Sequence, residues 1–299
     1  MVTPQLQETS PMVDLQHKKP RRLLETTKRV VQSKSSLLGF IIIMLLIITA
    51  LLAPVIASHD PIEQDLFARY QAPSTDHLLG TDELGRDIFS RIIYGTRISI
   101  QIGVIAVGIS MIVGIFLGAV SGYFGKWIDM VIMRFIDILM AFPSILLAIA
   151  MVAVLGPGLT NTMIAVGIVG VPHFARIVRS SVLSVKETEY IEAARAVGAK
   201  HGRILFRHVL PNCMAPIIVQ TTLSIGTAIL DAAGLSFLGL GAQPPAPEWG
   251  AMLSDGRAAL QTAPWVVAFP GLAILFTVLG FNLLGDGLRD ALDPKQSKQ

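Results

Sequence analysis

The chain has 299 residues, of which 52% are hydrophobic and only 15% are Asp, Glu, Lys or Arg; an ordinary soluble domain carries roughly 25% charged residues. So much apolar surface excludes general disorder, and a single cysteine, Cys213, excludes a disulfide scaffold. The net charge of +3 is no nucleic-acid signature, and no nucleic-acid partner is expected. With a mean hydropathy of +0.62 and charges gathered between long apolar runs, the chain reads as a polytopic membrane protein.

A helix needs about 20 mostly apolar residues to cross a bilayer core roughly 30 Å thick. The first such run, 37–57, is uncharged; its length, and the 36 residues before it, mark a retained anchor rather than a cleaved signal peptide. The second, 98–123, is studded with Gly103, Gly108, Ser110, Gly114, Gly118, Ser121 and Gly122, a composition that permits close helix packing. The third, 128–155, contains Arg134 and Asp137. The fourth, 162–182, is interrupted by Pro172, His173, Arg176 and Arg179; the fifth, 216–241, holds Asp231; the sixth is 265–285.

Lysine and arginine orient these spans. The tail 1–36 carries seven and 176–212 seven more, whereas 58–97 carries four beside seven acids and 242–264 only Arg257. With both termini cytoplasmic, nineteen basic residues lie inside and five outside, which fits six spans. The expected organisation is a cytoplasmic tail (1–36) able to touch anionic lipid, a first span (37–57) and an extracytoplasmic segment (58–97). A core of five spans (97–286) follows, with a cytoplasmic loop at 183–212, and then a cytoplasmic tail (287–299).

Enzyme signatures are missing. A phosphate-binding loop needs GxxxxGK[ST], but Trp127 follows Gly125-Lys126 where Ser or Thr belongs. Pro244 stands where a dinucleotide fingerprint starting at Gly239 needs its third glycine, and the six histidines show no metal-ligand spacing. No catalytic residue, metal site or bound cofactor is expected of this chain.

The loop between spans four and five is the most informative stretch. Glu189–Ala196 is helix-prone, Gly198 is a C-terminal stop, and 201–210 forms a second short helix ended by Pro211. Ile204, Leu205, His208 and Val209 share one face of it, Arg203 and Arg207 another. The small Ala193-Ala194 pair permits close backbone approach, so the loop is a compact knob at the membrane surface. Glu192-Ala193-Ala194, then Gly198, then Leu210-Pro211 resemble the EAA motif of ABC importer membrane subunits, with His208 where the family pattern has an aliphatic residue. Residues 80–91 read GTDELGRDIFSR, 239–250 GLGAQPPAPEWG and 282–294 NLLGDGLRDALDP. These resemble the second permease subunit of dipeptide, oligopeptide, glutathione and nickel importers, over about 37–294. By residue chemistry alone, Asp82 and Gly85 make a turn, Asp87 caps a helix whose face holds Ile88 and Ile92, and Arg86 and Asp87 pair with neighbours.

The resemblance implies an all-α integral membrane fold, the six-helix type I ABC importer permease. It also implies a heterodimer with a homologous permease, two ATPase subunits that bind ATP and Mg, and an extracytoplasmic solute-binding protein. In the family the loop docks into the ATPase, so Glu192, Ala193, Ala194, Gly198, Leu210 and Pro211 are the candidate coupling residues. The expected cargo is a dipeptide or short oligopeptide, glutathione-like peptides included; a nickel or metal-chelate importer is the runner-up, and a stand-alone secondary transporter or channel the rival class.

Charges at membrane depth face the bundle or a wet cavity. Arg134 and Asp137, three apart, share a helix face and are expected to pair structurally. Asp231, which lacks a local partner, and Asn282 are the candidates for the translocation pathway or a subunit interface, Asn282 as an interhelical hydrogen-bonding group. Arg176 and Arg179 read as topology determinants and lipid contacts.

Overall fold

The computed structural model describes residues 33–292, so most of the N-terminal tail and the end of the C-terminal tail lie outside the described residues. Within that range the helices are α1 (Lys34–Leu51), the short α2 (Ala53–Ile56), α3 (Ile88–Phe124), α4 (Lys126–Met140), α5 (Ser144–Leu155), α6 (Leu159–Lys186), α7 (Glu189–Ala196), α8 (His201–Ile204), α9 (Met214–Phe237), α10 (Trp249–Gly256) and α11 (Trp265–Leu292). Among the described residues five helices are long and apolar enough to cross a membrane, and a sixth crossing arises where α4 and α5 count as one broken span.

That pair departs from the continuous third span expected from sequence: α4 and α5 meet at 92°. Pro143 offers no N–H and disfavours helix at Phe142 before it, so the chain turns over Ala141-Phe142-Pro143 and α5 restarts at Ser144. A second departure is α3, which begins ten residues ahead of its apolar run and carries the expected boundary at 97 inside the helix. Its 37 residues span about 55 Å, well beyond a bilayer core.

Glycine seams set the packing. The Gly114, Gly118 and Gly122 row of α3 lies against α6, where an added Cβ would stand 2.4 Å from Phe174 Cβ, 2.4 Å from the Ala175 carbonyl and 2.9 Å from the Arg179 carbonyl. This is the small-xxx-small spacing that lets two backbones approach. Ser110 of α3 completes the seam by donating to the Gly167 carbonyl of α6 at 2.6 Å. A second seam joins α1 to α11, with Gly39 against the backbone of Gly280 and Leu284, and Gly287 against Ser36. Gly108, also in the glycine-rich set read from sequence, has nothing within 4 Å of an added Cβ among the described residues.

At the N-terminal end of α3, residues 58–87 and the region around α10 form a cap. The GTDELGRDIFSR string is its knot. Gly85 (φ +74°) closes a turn on Asp82, whose carboxylate accepts from the backbone N–H of Leu84 and Arg86 and holds the Arg86 side chain at 2.6 Å. Arg86 also reaches Asp255 at 3.5 Å, while Arg91 donates to the Pro61 carbonyl and lies 3.6 Å from Asp82. Asp87 caps α3, accepting from Ser90 N–H at 2.8 Å. Trp249 fills the space over Gly95 and donates to the Ile92 carbonyl at 3.2 Å. Glu248, buried at the start of α10, accepts from Gly250 and Ala251 N–H; burial pushes its carboxyl above the usual range, and those two hydrogen bonds pull it back.

Candidate functional site

At the opposite end of the molecule the loop 187–213 forms the knob expected from sequence. α7 ends in a Schellman arrangement: Gly198 (φ +80°) donates to the Arg195 carbonyl and Ala199 to the Ala194 carbonyl. An ordinary L-residue at 198 is strained whatever surrounds it, because its Cβ meets the backbone in this region. Ile191 of α7 is fully buried, together with Ile204, Val209 and Cys213, against Val178 and Val182 of α6. Tyr123 Oη lies 2.9 Å from His201 Nδ1, and Lys186 donates to the Gly122 carbonyl. The knob is therefore clamped to the ends of α3 and α6.

The candidate coupling residues divide by exposure. Glu192, Ala193, Gly198 and Pro211 are exposed, whereas Ala194 and Leu210 turn inward and pack on the knob's core. No side-chain hydrogen bond or ion pair occupies Glu192 among the described residues. Pro211 does not end the helix. The turn Leu205–Val209 widens to a π-helical turn, with Leu210 N–H bonded to the Leu205 carbonyl, and Leu210–Cys213 then tightens to a 3-10 turn leading into α9. Widening one residue before the proline keeps its ring off the carbonyl four residues back, so the helical path continues. Two residues that sequence reasoning missed, Val197 and Phe206, stand 84% and 70% exposed on the knob. Their signal was apolar side chains lying off the buried face of each short helix.

The intramembrane charges rearrange. Asp137 pairs with Arg176 of α6 at 2.7 Å rather than with Arg134, which makes no ion pair among the described residues. Arg179 grips Asp129 of α4 through both Nε (2.5 Å) and Nη2 (2.6 Å). The two arginines read as topology markers thus staple α4 to α6. Asn282 is half-buried on α11, and its amide makes no hydrogen bond among the described residues.

Asp231 is not alone. It shares a cavity of about 320 Å³ with His173 and Phe174 of α6, Ser110 of α3, Ser144 at the α5 start, and Gln220, Ser224 and Thr227 of its own helix. A second, wider cavity of about 600 Å³ lies toward the knob, lined by Asn212, Pro216, Gln220, Leu223 and Arg289. Gln220 borders both and donates to Ser224 at 2.9 Å. Residues 220, 224, 227 and 231 follow helical spacing, so α9 presents one polar stripe that runs from the knob end to mid-helix. The stripe was present in the sequence as Gln, Ser, Thr and Asp at that period, hidden by attention to the single charge.

A bundle of apolar helices long enough to cross a membrane, with open cavities along a polar stripe and a clamped surface knob, is the architecture of a membrane transport subunit. The backbone is similar to that of the MetNI methionine ABC transporter in inward-facing conformations, with a TM-score of 0.57 at 18% identity, covering 69% of this chain and 98% of that one. The chain belongs to the family of binding-protein-dependent transport system inner membrane components, whose model matches residues 114–298; the N-terminal transmembrane domain of oligopeptide transport permease C matches 23–73. It is 57% identical to the dipeptide transport system permease protein DppC of Alkalihalophilus pseudofirmus, over 91% of this chain and 89% of that one. It is 50% identical to the di/tripeptide permease DppC of Pseudomonas aeruginosa, over 92% and 93%. It is 56% identical to the glutathione transport system permease protein GsiD of Pectobacterium atrosepticum, over 75% of each. Membership makes the chain an inner-membrane component of an ABC importer that works with an ATPase and a solute-binding protein.

Proposed function

We propose that this chain forms half of the translocation pathway for dipeptides or short oligopeptides, including glutathione-like ones, in an ATP-driven importer. The observation that carries the reading is the polar stripe of α9, Gln220 to Asp231, bordering two cavities in series. Hydrogen-bonding groups along that face suit a solute rich in amides and terminal charges. Asp231, beside His173, is the group that meets a peptide's ammonium end. The names of the relatives support a peptide cargo over nickel or a metal chelate.

The remaining half of the pathway comes from a homologous permease. Two ATPase subunits hold ATP and Mg and carry out hydrolysis; this chain supplies no catalytic group. Both termini are cytoplasmic, as the distribution of nineteen basic residues inside and five outside supports. ATP binding closes the ATPases on the knob. Glu192 through Gly198 then transmit the movement to α6 and α9, and the bundle opens toward the solute-binding protein. Asn282 lies on α11, where it serves the subunit interface.

The test is reconstitution of the four-subunit complex in vesicles with its binding protein and labelled dipeptide. Uptake requires ATP, and Asp231→Asn lowers it about tenfold while assembly persists. Uptake by this chain alone, or full uptake by Asp231→Asn, overturns the reading; competition by a nickel chelate in place of dipeptide reassigns the cargo.

A further inference from the structure

One cluster at the capped end belongs neither to the pathway nor to the knob. His59, His77 and Asp87 come from three separate segments and converge so that one ligand atom from each lies within 4.8 Å of the others. His77 Nδ1 is 3.0 Å from Asp87 Oδ1, and His59 Nδ1 is 3.9 Å from Asp87 Oδ2. The two imidazoles lie 4.8 Å apart, tilted by 32°. We propose that these three side chains form a binding site for a divalent transition-metal cation of the Zn²⁺ class.

Three features carry this. Two imidazoles and a carboxylate are a donor set that suits Zn²⁺ and its neighbours rather than Ca²⁺ or Mg²⁺. Tetrahedral ligands at 2.0–2.1 Å from Zn²⁺ stand about 3.3 Å apart; His77 Nδ1 and Asp87 Oδ1 at 3.0 Å are close to that spacing, and the exposed His59, 3.9 Å from the other carboxylate oxygen, swings inward to complete the set. The segments that carry the donors are also fixed before any ion arrives. Asp87 is buried and fixed by its bond from Ser90 N–H, the His59 backbone N–H donates to Ser90 Oγ, and His77 sits in a turn closed by Ser74 and Gly80. Such support is what orients metal ligands. The cluster opens onto a cavity of about 200 Å³ that also holds Asp60, Glu63 and Asp65, leaving room for water or a fourth carboxylate and favouring a cation. Bound there, the ion ties the segment after α2 to the first turn of α3.

The test uses the untagged full-length chain purified with its partners, stripped by chelator and titrated with Zn²⁺ against a chromophoric competitor. The expected result is saturable uptake whose affinity falls about tenfold or more in His59→Ala and in His77→Ala and is unchanged in His208→Ala. Asp87→Asn, which keeps a side-chain acceptor for the helix cap, also weakens it. Absence of Zn²⁺ uptake by the unaltered protein overturns the proposal, and so does uptake that His59→Ala leaves intact. His59 is exposed, so its truncation does not threaten the fold.

Discussion

The two ends of this permease are built on opposite plans. The capped end buries its charges: Asp82, Arg86, Asp87, Arg91 and Glu248 are all withdrawn from solvent and bonded to one another or to backbone. The knob end buries uncharged, mostly aliphatic groups and leaves Glu192, Arg195, Arg203, Arg207, Val197 and Phe206 exposed. A group that finishes its bonding inside one chain serves architecture; a group left unbonded on a clamped, rigid surface is free to meet a partner. On that ground the GTDELGRDIFSR string holds the molecule together, and the EAA loop speaks to its neighbours.

The largest effect that tests this contrast comes from Asp82→Ala. The substitution removes the carboxylate that holds Arg86 and leaves two buried guanidinium groups without it; breaking a buried pair in this way costs about 3–5 kcal/mol. Folded protein recovered by size-exclusion chromatography in detergent should fall steeply. Glu192→Ala is the matched change at the other end. It should leave stability within about 0.5 kcal/mol while lowering ATP-driven uptake about tenfold. Equal destabilisation by the two would erase the distinction.

A finer test lies at Gly198. Nothing among the described residues stands within 4 Å of an added Cβ there, yet φ is +80°. Backbone strain and partner clash can therefore be separated. Gly198→Asn tolerates the left-handed conformation but adds bulk, whereas Gly198→Val adds bulk and strain, costing about 1–2 kcal/mol. If the ATPase sits close to this glycine, both variants should lose uptake and only the valine variant should lose thermal stability. Full uptake by Gly198→Asn would mean that the glycine serves the helix end alone.

How much of this was legible in the sequence depends on the range of the interaction. The glycine stop at 198, the cap at Asp87 and the turn at Asp82–Gly85 are local, set by residues within one or two turns, and each stands where the residues suggested. The spans were legible as apolar runs, because their lengths are dictated by bilayer thickness. Long-range partners were not. Asp137 has Arg134 three residues away, but the packing of α4 beside α6 gives it Arg176, 39 positions on, as its partner. Asp231 looked solitary because His173 comes from another helix, 58 positions earlier. The convergence of His59, His77 and Asp87 was hidden for the same reason: they have no sequence spacing that brings them together until the cap folds.

The smallest effect sharpens the comparison within a single helix. Gly108 and Gly118 both belong to the glycine- and serine-rich set of α3 whose composition suggested close helix packing. At Gly118 an added methyl would stand 2.4 Å from the Ala175 carbonyl, a backbone atom that cannot yield without moving α6. At Gly108 nothing among the described residues lies within 4 Å. Gly118→Ala should therefore destabilise the bundle by about 1–3 kcal/mol, the usual range for overpacking. Gly108→Ala should stabilise it by up to about 1 kcal/mol through helix propensity alone. Thermal unfolding of the two variants in the same detergent decides the point. Destabilisation at 108 comparable with that at 118 would mean that a surface outside this chain, such as the companion permease, closes over Gly108 in the purified assembly; repeating the measurement on this subunit alone would then restore the difference.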